Sequence, residues 1–457
     1  MGHIIAALDL GTSKSIAIVV RKDFSGKLSV VRTETLSSKD AIRRGRVYHS
    51  DETSDIISKL IRKLNNNPET MLVEKIYVGI GGQSLHTHAF NTKKTIKDGI
   101  VTQQLLDLIE KEANDYEPEF EKNLGIASRE YYADGQLVSN PKGTLASVIE
   151  AQFQLVVSNP CLKLNLENVF KGKDISVADY FISPLATAEA VLTKEEKESG
   201  CALVEFGAGV SYVSVYKNKR LKYAVTLPLG GLAITKDIRS LNVSEEEAEK
   251  LKIKYGSAIP EPENNSAVSV NEEQNSSRKI ELKELNEFIE ARVDEIVKNV
   301  WNQIQLSGYA QTLDAGIVIT GGGALLRNLS QSIRNQTGKT VRLANAKAWI
   351  NQAETQISPA DSCVVGLALL GKENCAKEKE TVSKGKQPEP RIFPDSEVEK
   401  VEKTNEKKDE EKSPQKPKKN IISQGWKNFK GIFDEGAESL FTDSESNNDK
   451  NKTTTNK

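Results

Sequence analysis

The chain has 457 residues, a formal net charge of −1, and apolar and charged contents of 37% and 28%. That length allows two or more domains with their own cores, and the near-neutral balance argues against a general nucleic-acid-binding surface. No apolar run reaches the roughly 18 residues of a membrane span, no basic-then-apolar leader opens the chain, and the scattered Cys161, Cys201, Cys363 and Cys375 lack metal spacing and fit a reducing compartment.

Residues 4–20 are two apolar runs around the turn Asp9-Leu10-Gly11-Thr12-Ser13-Lys14, a β-hairpin pattern. Asp9 stands at the end of the first run, Gly11 removes side-chain bulk, and Thr12, Ser13 and Lys14 add donors. Backbone N–H groups of such a turn can surround a phosphate, and a carboxylate beside it can hold Mg²⁺ through water; the alternative is an ordinary hairpin with a polar tip. Residues 27–36 read as a further strand. Residues 51–65 place Ile56, Ile57, Leu60, Ile61 and Leu64 on one helix face. Residues 75–80 form a strand pattern entering Gly81-Gly82. His86 and His88 lie close together without companions and read as surface residues rather than a metal pair. A β run covers 151–157. Residues 179–192, with Ile182, Leu185, Ala186, Ala188, Ala190, Val191 and Leu192, predict a buried small-residue helix.

The first design recurs at 201–216: an apolar run, the acid Glu205, the turn Gly207-Ala208-Gly209-Val210, and a β-rich run. Two such hairpins facing each other would clamp a polyphosphate. Leu227-Pro228-Leu229-Gly230-Gly231 leads into a helix over about 232–241. Ser244-Glu245-Glu246-Glu247 is a capped helix start, and Glu249 and Lys252 within that helix share a face. Residues 257–277 read as a polar surface loop. Residues 281–307 carry a 3.6-residue apolar stripe from Leu282 to Ile304, with Arg292 among it. Residues 315–326 run as a buried-type strand into Gly321-Gly322-Gly323, where missing side chains let a flat ring approach the backbone. A helix over 328–337 and a strand over 340–343 follow. Ser358-Pro359 then starts another helix, in which Gly366 permits a close crossing.

From 372 to 420 large apolar residues nearly vanish, which predicts a disordered linker. They return at Ile421, Ile422, Trp426, Phe429, Ile432, Phe433, Leu440 and Phe441, mostly three or four apart, with Lys427, Lys430, Asp434, Glu435 and Glu438 between them. An amphipathic helix on a tether suits a membrane-surface anchor; docking into a protein groove is the alternative. Residues 442–457 form a polar tail.

In this order, the stretches at 4–20, 201–216 and 315–326 resemble the phosphate-1, phosphate-2 and adenosine motifs of the actin/Hsp70/sugar-kinase superfamily. Their wording is similar to the bacterial cell-division branch FtsA over roughly residues 4–371. Glu130-Tyr131-Tyr132-Ala133-Asp134 and Asn140-Pro141-Lys142-Gly143 fit that branch too. The resemblance implies an α/β chain with the actin-like ATPase fold, two RNase H-like halves and an inserted 1C-type subdomain. The first half would occupy 1–82 and resume at 162–200, the insert 83–161, and the second half 201–357. A second connecting helix would span 358–371, the linker 372–420, the membrane-targeting helix 421–441 and a disordered tail 442–457. It further implies ATP with Mg²⁺. Gly11, Thr12, Ser13, Lys14, Gly207, Ala208, Gly209 and Val210 would surround the phosphates, and Asp9 would hold the metal through water. Glu249, Lys252, Gly321, Gly322 and Gly323 would meet the adenosine. Arg292 would pair with the acidic C-terminal peptide of the tubulin homologue FtsZ, and the insert would make filament contacts and contacts to late division proteins. The site would be the cytoplasmic face of the inner membrane at the division plane.

The chain departs from the family pattern in three places. Glu205 stands where Asp is usual, Val210-Ser211 where Thr often sits, and a polar tail follows the last helix. A longer carboxylate displaces the metal-side oxygens, and water placement tolerates little error, so hydrolysis is expected to be weak or absent, with no residue assigned as catalytic. A pilus-assembly homologue (PilM-like) or a sugar or acetate kinase would share the phosphate motifs.

Overall fold

The computed structural model describes residues 2–66, 71–261, 266–271, 277–351 and 357–378. The expected linker past 378, the helix at 421–441 with its eight apolar residues, and the tail lie outside them. Contacts divide the chain after Lys377, and the architecture below is that of the unit Met1–Lys377.

The chain builds one strand arrangement twice. In the first half, His3–Leu10, Lys14–Lys22 and Leu28–Ser37 form an antiparallel meander, and Lys75–Ile80 and then Ser176–Ile182 add in parallel on the other side of the first strand. In the second half, Cys201–Phe206, Ser211–Lys217 and Arg220–Leu227 form the meander, and Ile317–Thr320 and Val341–Leu343 add in parallel. Both central strands are covered on two faces, which is why Ile5, Ala6, Ala7 and Leu8, and Cys201, Ala202, Leu203 and Val204, are buried in unbroken runs instead of alternating. The stripe read at 281–307 becomes Leu282–Leu306, whose Ile289, Val293, Ile296, Val297, Val300 and Ile304 cover the second sheet.

Ser183–Val191 and Ser362–Leu370 pass between the halves and cross tightly. A Cβ on Gly366 would lie 2.0 Å from the Ala186 carbonyl oxygen, so the crossing requires glycine. The C-terminal end of the second helix is fixed to the first half: the Lys22 ammonium donates to the Leu369 and Gly371 carbonyls, and a Cβ on Gly371 would strike Ile5.

Three expectations change. Residues 179–182 are not helix but the end of the strand Ser176–Ile182. They pair with Lys75–Ile80 as the sheet's last strand, and the helix starts only at Ser183, with Pro184 in its first turn. Within the expected loop 257–277, Ala267–Asn271 pairs antiparallel with Ser277–Glu281. The expected linker is ordered at its start, where Cys375 N–H donates to the Ile4 carbonyl and the amides of Glu74 and Lys75 donate to the Cys375 carbonyl.

The insert is a sheet of Gln136–Val138, Lys122–Ala133, Val148–Ser158 and His86–Thr95 with the helix Gln103–Asp115 packed on it. Though it interrupts the first half in sequence, its sheet continues that of the second half through Val225 opposite His86. Thr226 Oγ1 donates to the Leu85 carbonyl at 2.8 Å, Ser128 Oγ to the Leu221 carbonyl at 2.6 Å, and Lys222 pairs with Glu130 at 2.6 Å. His86 pairs with Glu121, and His88 lies against Tyr116.

Candidate functional site

The two halves enclose a cleft of about 420 Å³. Its walls include Asp9, Gly11, Thr12, Ser13 and Lys14 from the first hairpin and Glu205, Gly207, Ala208, Gly209 and Val210 from the second. Glu249, Lys252 and Gly321, Gly322 and Gly323 complete the list of sequence-predicted cleft residues, and all are brought together.

The two turns are built alike. Gly11 N–H donates to the Lys14 carbonyl at 3.1 Å and Gly207 N–H to the Val210 carbonyl at 2.9 Å. A Cβ on either glycine would sit 2.7 Å from the carbonyl it closes onto. The tips face each other: the Thr12 side chain fills the space in front of Gly209, where a Cβ would be 2.6 Å from its hydroxyl. Among the described residues, no hydrogen bond uses the N–H of Thr12, Ser13, Ala208, Gly209 or Val210. Two sets of unpaired amides on opposed turns form an anion cradle.

The second turn is braced by a segment that sequence reading took only as a helix entry. Gly231 N–H donates to the Gly207 carbonyl at 2.9 Å and Leu232 N–H to the Ala208 carbonyl at 2.8 Å. A Cβ on Gly230 would be 2.6 Å from both carbonyl oxygens, so only glycine lets the brace close. The carbonyls are thereby used up on the far side, leaving the amides for the cleft.

Asp9 and Glu205 end equivalent strands at the cleft floor. Desolvation there raises the Asp9 carboxyl above its usual range, against a Cys363 hydrogen bond and the Lys14 charge, which lower it. Glu205 is pushed up to about 8, first by desolvation and then by the Asp9 charge. The Thr187 hydroxyl beside it pulls the other way, but neither Glu205 Oε2 nor Thr187 Oγ1 reaches hydrogen-bonding geometry with any partner among the described residues. Cys363, buried against both acids, has its thiol held well above its ordinary range by burial and by those charges. Two adjoining acids, one with an orphaned oxygen, make a donor set suited to a hard cation with oxygen ligands.

At the other wall, Lys252 Nζ donates to Glu249 Oε2 at 2.7 Å, to Thr235 Oγ1 at 2.8 Å and to the Gly231 carbonyl at 3.0 Å. The pair is thus a buttress for the brace as well as part of the cleft wall. Gly321 takes φ +88°, and its Cβ would lie 2.5 Å from the Phe206 carbonyl; Gly323 faces the Phe206 side chain. Gly321 is therefore required by packing onto the strand below, Gly323 is tight, with its Cβ 3.0 Å from Phe206 Cβ, and Gly322 has room, its nearest neighbour being Ala360 at 3.6 Å. Ile253 and Leu325, both exposed, flank this end of the cleft and were not picked out from sequence.

Four cations line the cleft: Lys14, Arg46, Lys252 and Arg327. Lys14 faces Asp361 at 3.8 Å, Lys252 is paired with Glu249, and Arg327 donates to the Tyr255 and Gly256 carbonyls. Arg292 lies outside the cleft. Its guanidinium grips Asp237 through two hydrogen bonds and also pairs with Glu295, so its donors are engaged within the chain.

The sequence profile of the family described as cell division protein FtsA matches residues 202–366. The FtsA of Porphyromonas gingivalis is 29% identical over 384 residues, covering 82% of this chain and 80% of that one. The FtsA of Neisseria meningitidis is 29% identical over 372 residues, covering 79% of this chain and 89% of that one. Among solved structures, the PilM-PilN type IV pilus biogenesis complex superposes with a TM-score of 0.57 at 14% identity, over 81% of this chain and 98% of that one. At that identity the likeness concerns the fold, which is that of the actin-like ATPases.

Proposed function

We propose that this chain belongs with the FtsA proteins it resembles, as an actin-like cell-division protein that binds ATP with Mg²⁺ in the cleft and ties FtsZ filaments to the cytoplasmic face of the membrane. The observation that carries the nucleotide half of this reading is the opposed pair of glycine turns with their unpaired amides, closing over two adjoining acids. Backbone amides of Gly11–Lys14 and Gly207–Val210 would receive the phosphates. Asp9 would hold the metal through water, with Glu205 beside it, and Glu249, Lys252 and Gly321–Gly323 would border the adenosine. The bound metal would supply charge neutralisation along the phosphates.

Hydrolysis is proposed to be weak. Beside Asp9 and Glu205, Cys363 and Tyr212 line the cleft and are poor bases for water. The Cys363 thiol and the Tyr212 phenol are both pushed well above their ordinary ranges by burial, and the neighbouring acids push in the same direction.

The membrane half rests on the sequence of 421–441, whose Ile421, Ile422, Trp426, Phe429, Ile432, Phe433, Leu440 and Phe441 are spaced for one helical face. Filament formation would multiply a weak single anchor by avidity. The insert is proposed as the surface for self-association and for late division proteins, and Arg292 as a contact for the acidic FtsZ peptide, which would have to exchange with Asp237.

Liposome co-pelleting tests the anchor: the full chain should pellet with vesicles containing anionic lipid, and a chain stopped at Asn420 should stay in solution. Titration with fluorescent ATP and Mg²⁺ tests the cleft, and phosphate release measured on the same sample tests weak turnover. The pilus-assembly alternative predicts capture of pilus-protein peptides in place of the FtsZ tail, and the kinase alternative predicts phosphorylation of a small hydroxyl compound or acetate.

A further inference from the structure

Arg46 stands out among the cleft cations. The other three are engaged, whereas its guanidinium makes no hydrogen bond or ion pair among the described residues. Its backbone, by contrast, is tightly placed. Ile42–Arg43 and Arg46–Val47 form a two-residue hairpin whose turn residues, Arg44 and Gly45, both have positive φ, at 49° and 71°. Gly45 N–H donates to Thr12 Oγ1 at 2.9 Å, and Gln83 N–H donates to the Arg44 carbonyl at 2.9 Å. A Cβ on Gly45 would lie 2.7 Å from Gly82 Cα, and a Cβ on Gly82 would lie 2.9 Å from Arg46 Cγ. The hairpin is therefore pinned to the tip of the first phosphate turn, and Arg46 is the next residue along.

Position assigns the role. Glu249, Lys252 and the three glycines belong to the second half, and the opposed turns meet at Thr12 and Gly209. A polyphosphate entering from the glycine end and running between the turns ends on the first-half side, where Thr12 meets Gly45. We propose that Arg46 recognises the terminal phosphate and so makes the cleft prefer a nucleoside triphosphate to a diphosphate. This rests on the nucleotide-binding reading of the cleft. The planar guanidinium suits a terminal phosphate, which presents more free oxygens than an inner one.

The test is the affinity of the full chain, with Mg²⁺, for the N-methylanthraniloyl derivatives of ATP and ADP by fluorescence titration. Arg46→Ala should weaken the triphosphate by at least about tenfold, the loss of one charge-assisted contact, and leave the diphosphate within about twofold. Arg46→Lys should fall between, keeping charge and losing the fork. Arg43→Ala on the same hairpin, whose guanidinium stacks 3.8 Å over Tyr48 instead of lining the cleft, should keep the wild-type ratio. Equal weakening of both nucleotides by Arg46→Ala, no weakening of either, or the same shift from Arg43→Ala overturns the proposal while nucleotide binding stands. Wild-type protein binding neither nucleotide overturns both readings.

Discussion

Thr12 occupies the space that a side chain on Gly209 would need: a Cβ there would stand 2.6 Å from the Thr12 hydroxyl and 2.8 Å from its methyl carbon. The two glycine turns, 196 residues apart from acid to acid, thus meet through one side chain and one absence. That contact limits how closely the two tips can approach.

Gly209→Ala is therefore expected to push the turns apart and weaken ATP binding by about tenfold, on the order of 1.4 kcal/mol. Thr12→Ala removes the atoms that clash but also the acceptor of Gly45 N–H. The double variant should be less impaired than the two single losses added together. A double-mutant cycle on nucleotide affinity checks this, and strict additivity would refute the contact.

Gly366→Ala should be among the more damaging single-methyl changes in the fold. The new carbon would lie 2.0 Å from the Ala186 carbonyl oxygen and 2.4 Å from its carbon, so backbone must move. A loss of about 2–3 kcal/mol is expected from such overpacking, read as a lower midpoint in urea unfolding. Gly26→Ala provides a contrast, since nothing lies within 4 Å of its Cβ and only the φ of +83° is at issue.

The Glu205 carboxyl gives the fold a pH dependence of definite sign. Its folded value is raised from 4.5 to about 8, so the native state holds a proton that the unfolded chain releases earlier. Stability from this group is fully present below about pH 4.5 and is lost as pH rises through about 8. Glu205→Gln keeps the shape and removes the charge. Its melting temperature relative to wild type should climb between pH 6 and pH 9, with the metal and nucleotide left out. A difference that stays flat across that range would refute the assignment.

Lys22 caps the end of the second crossing helix by donating to the Leu369 and Gly371 carbonyls, and desolvation lowers its pKa. Lys22→Met keeps the stem and removes the donor. About 1–3 kcal/mol of stability should go with it, together with faster amide exchange at the C-terminal end of Ser362–Leu370.

Much of the cleft was legible because its signals are local. Asp9 through Lys14 and Glu205 through Val210 carry strand, acid and turn within a few residues, and the structure sets them face to face. What escaped was set by distant partners. Residues 179–182 look helical beside a run of alanines, but the edge of a sheet claimed them through pairing with Lys75–Ile80. Ala267–Asn271 looks like loop among its Asn, Ser and Glu neighbours, but it pairs with Ser277–Glu281 and lays Val268 against the core of the second half. Nothing in the sequence singles out Arg46, whose place beside the first turn depends on Gly45 being tied to Thr12. Arg292 reads as free until Asp237, 55 residues earlier, is found holding it. The glycines at 321–323 do line the cleft, yet Gly321 answers to Phe206 below before any ligand above.

The sheet that runs from the insert into the second half has a mechanical consequence. Tension on the insert, from whatever grips its outer strands, passes along hydrogen-bonded strands into the lobe carrying Gly207 and Gly321–Gly323, by way of Val225 and His86 and the anchors at Thr226, Ser128 and Glu130. Traction at that outer rim would therefore act as a lever on the jaw that carries the second glycine turn, and tightening of the jaw would in turn tilt the rim.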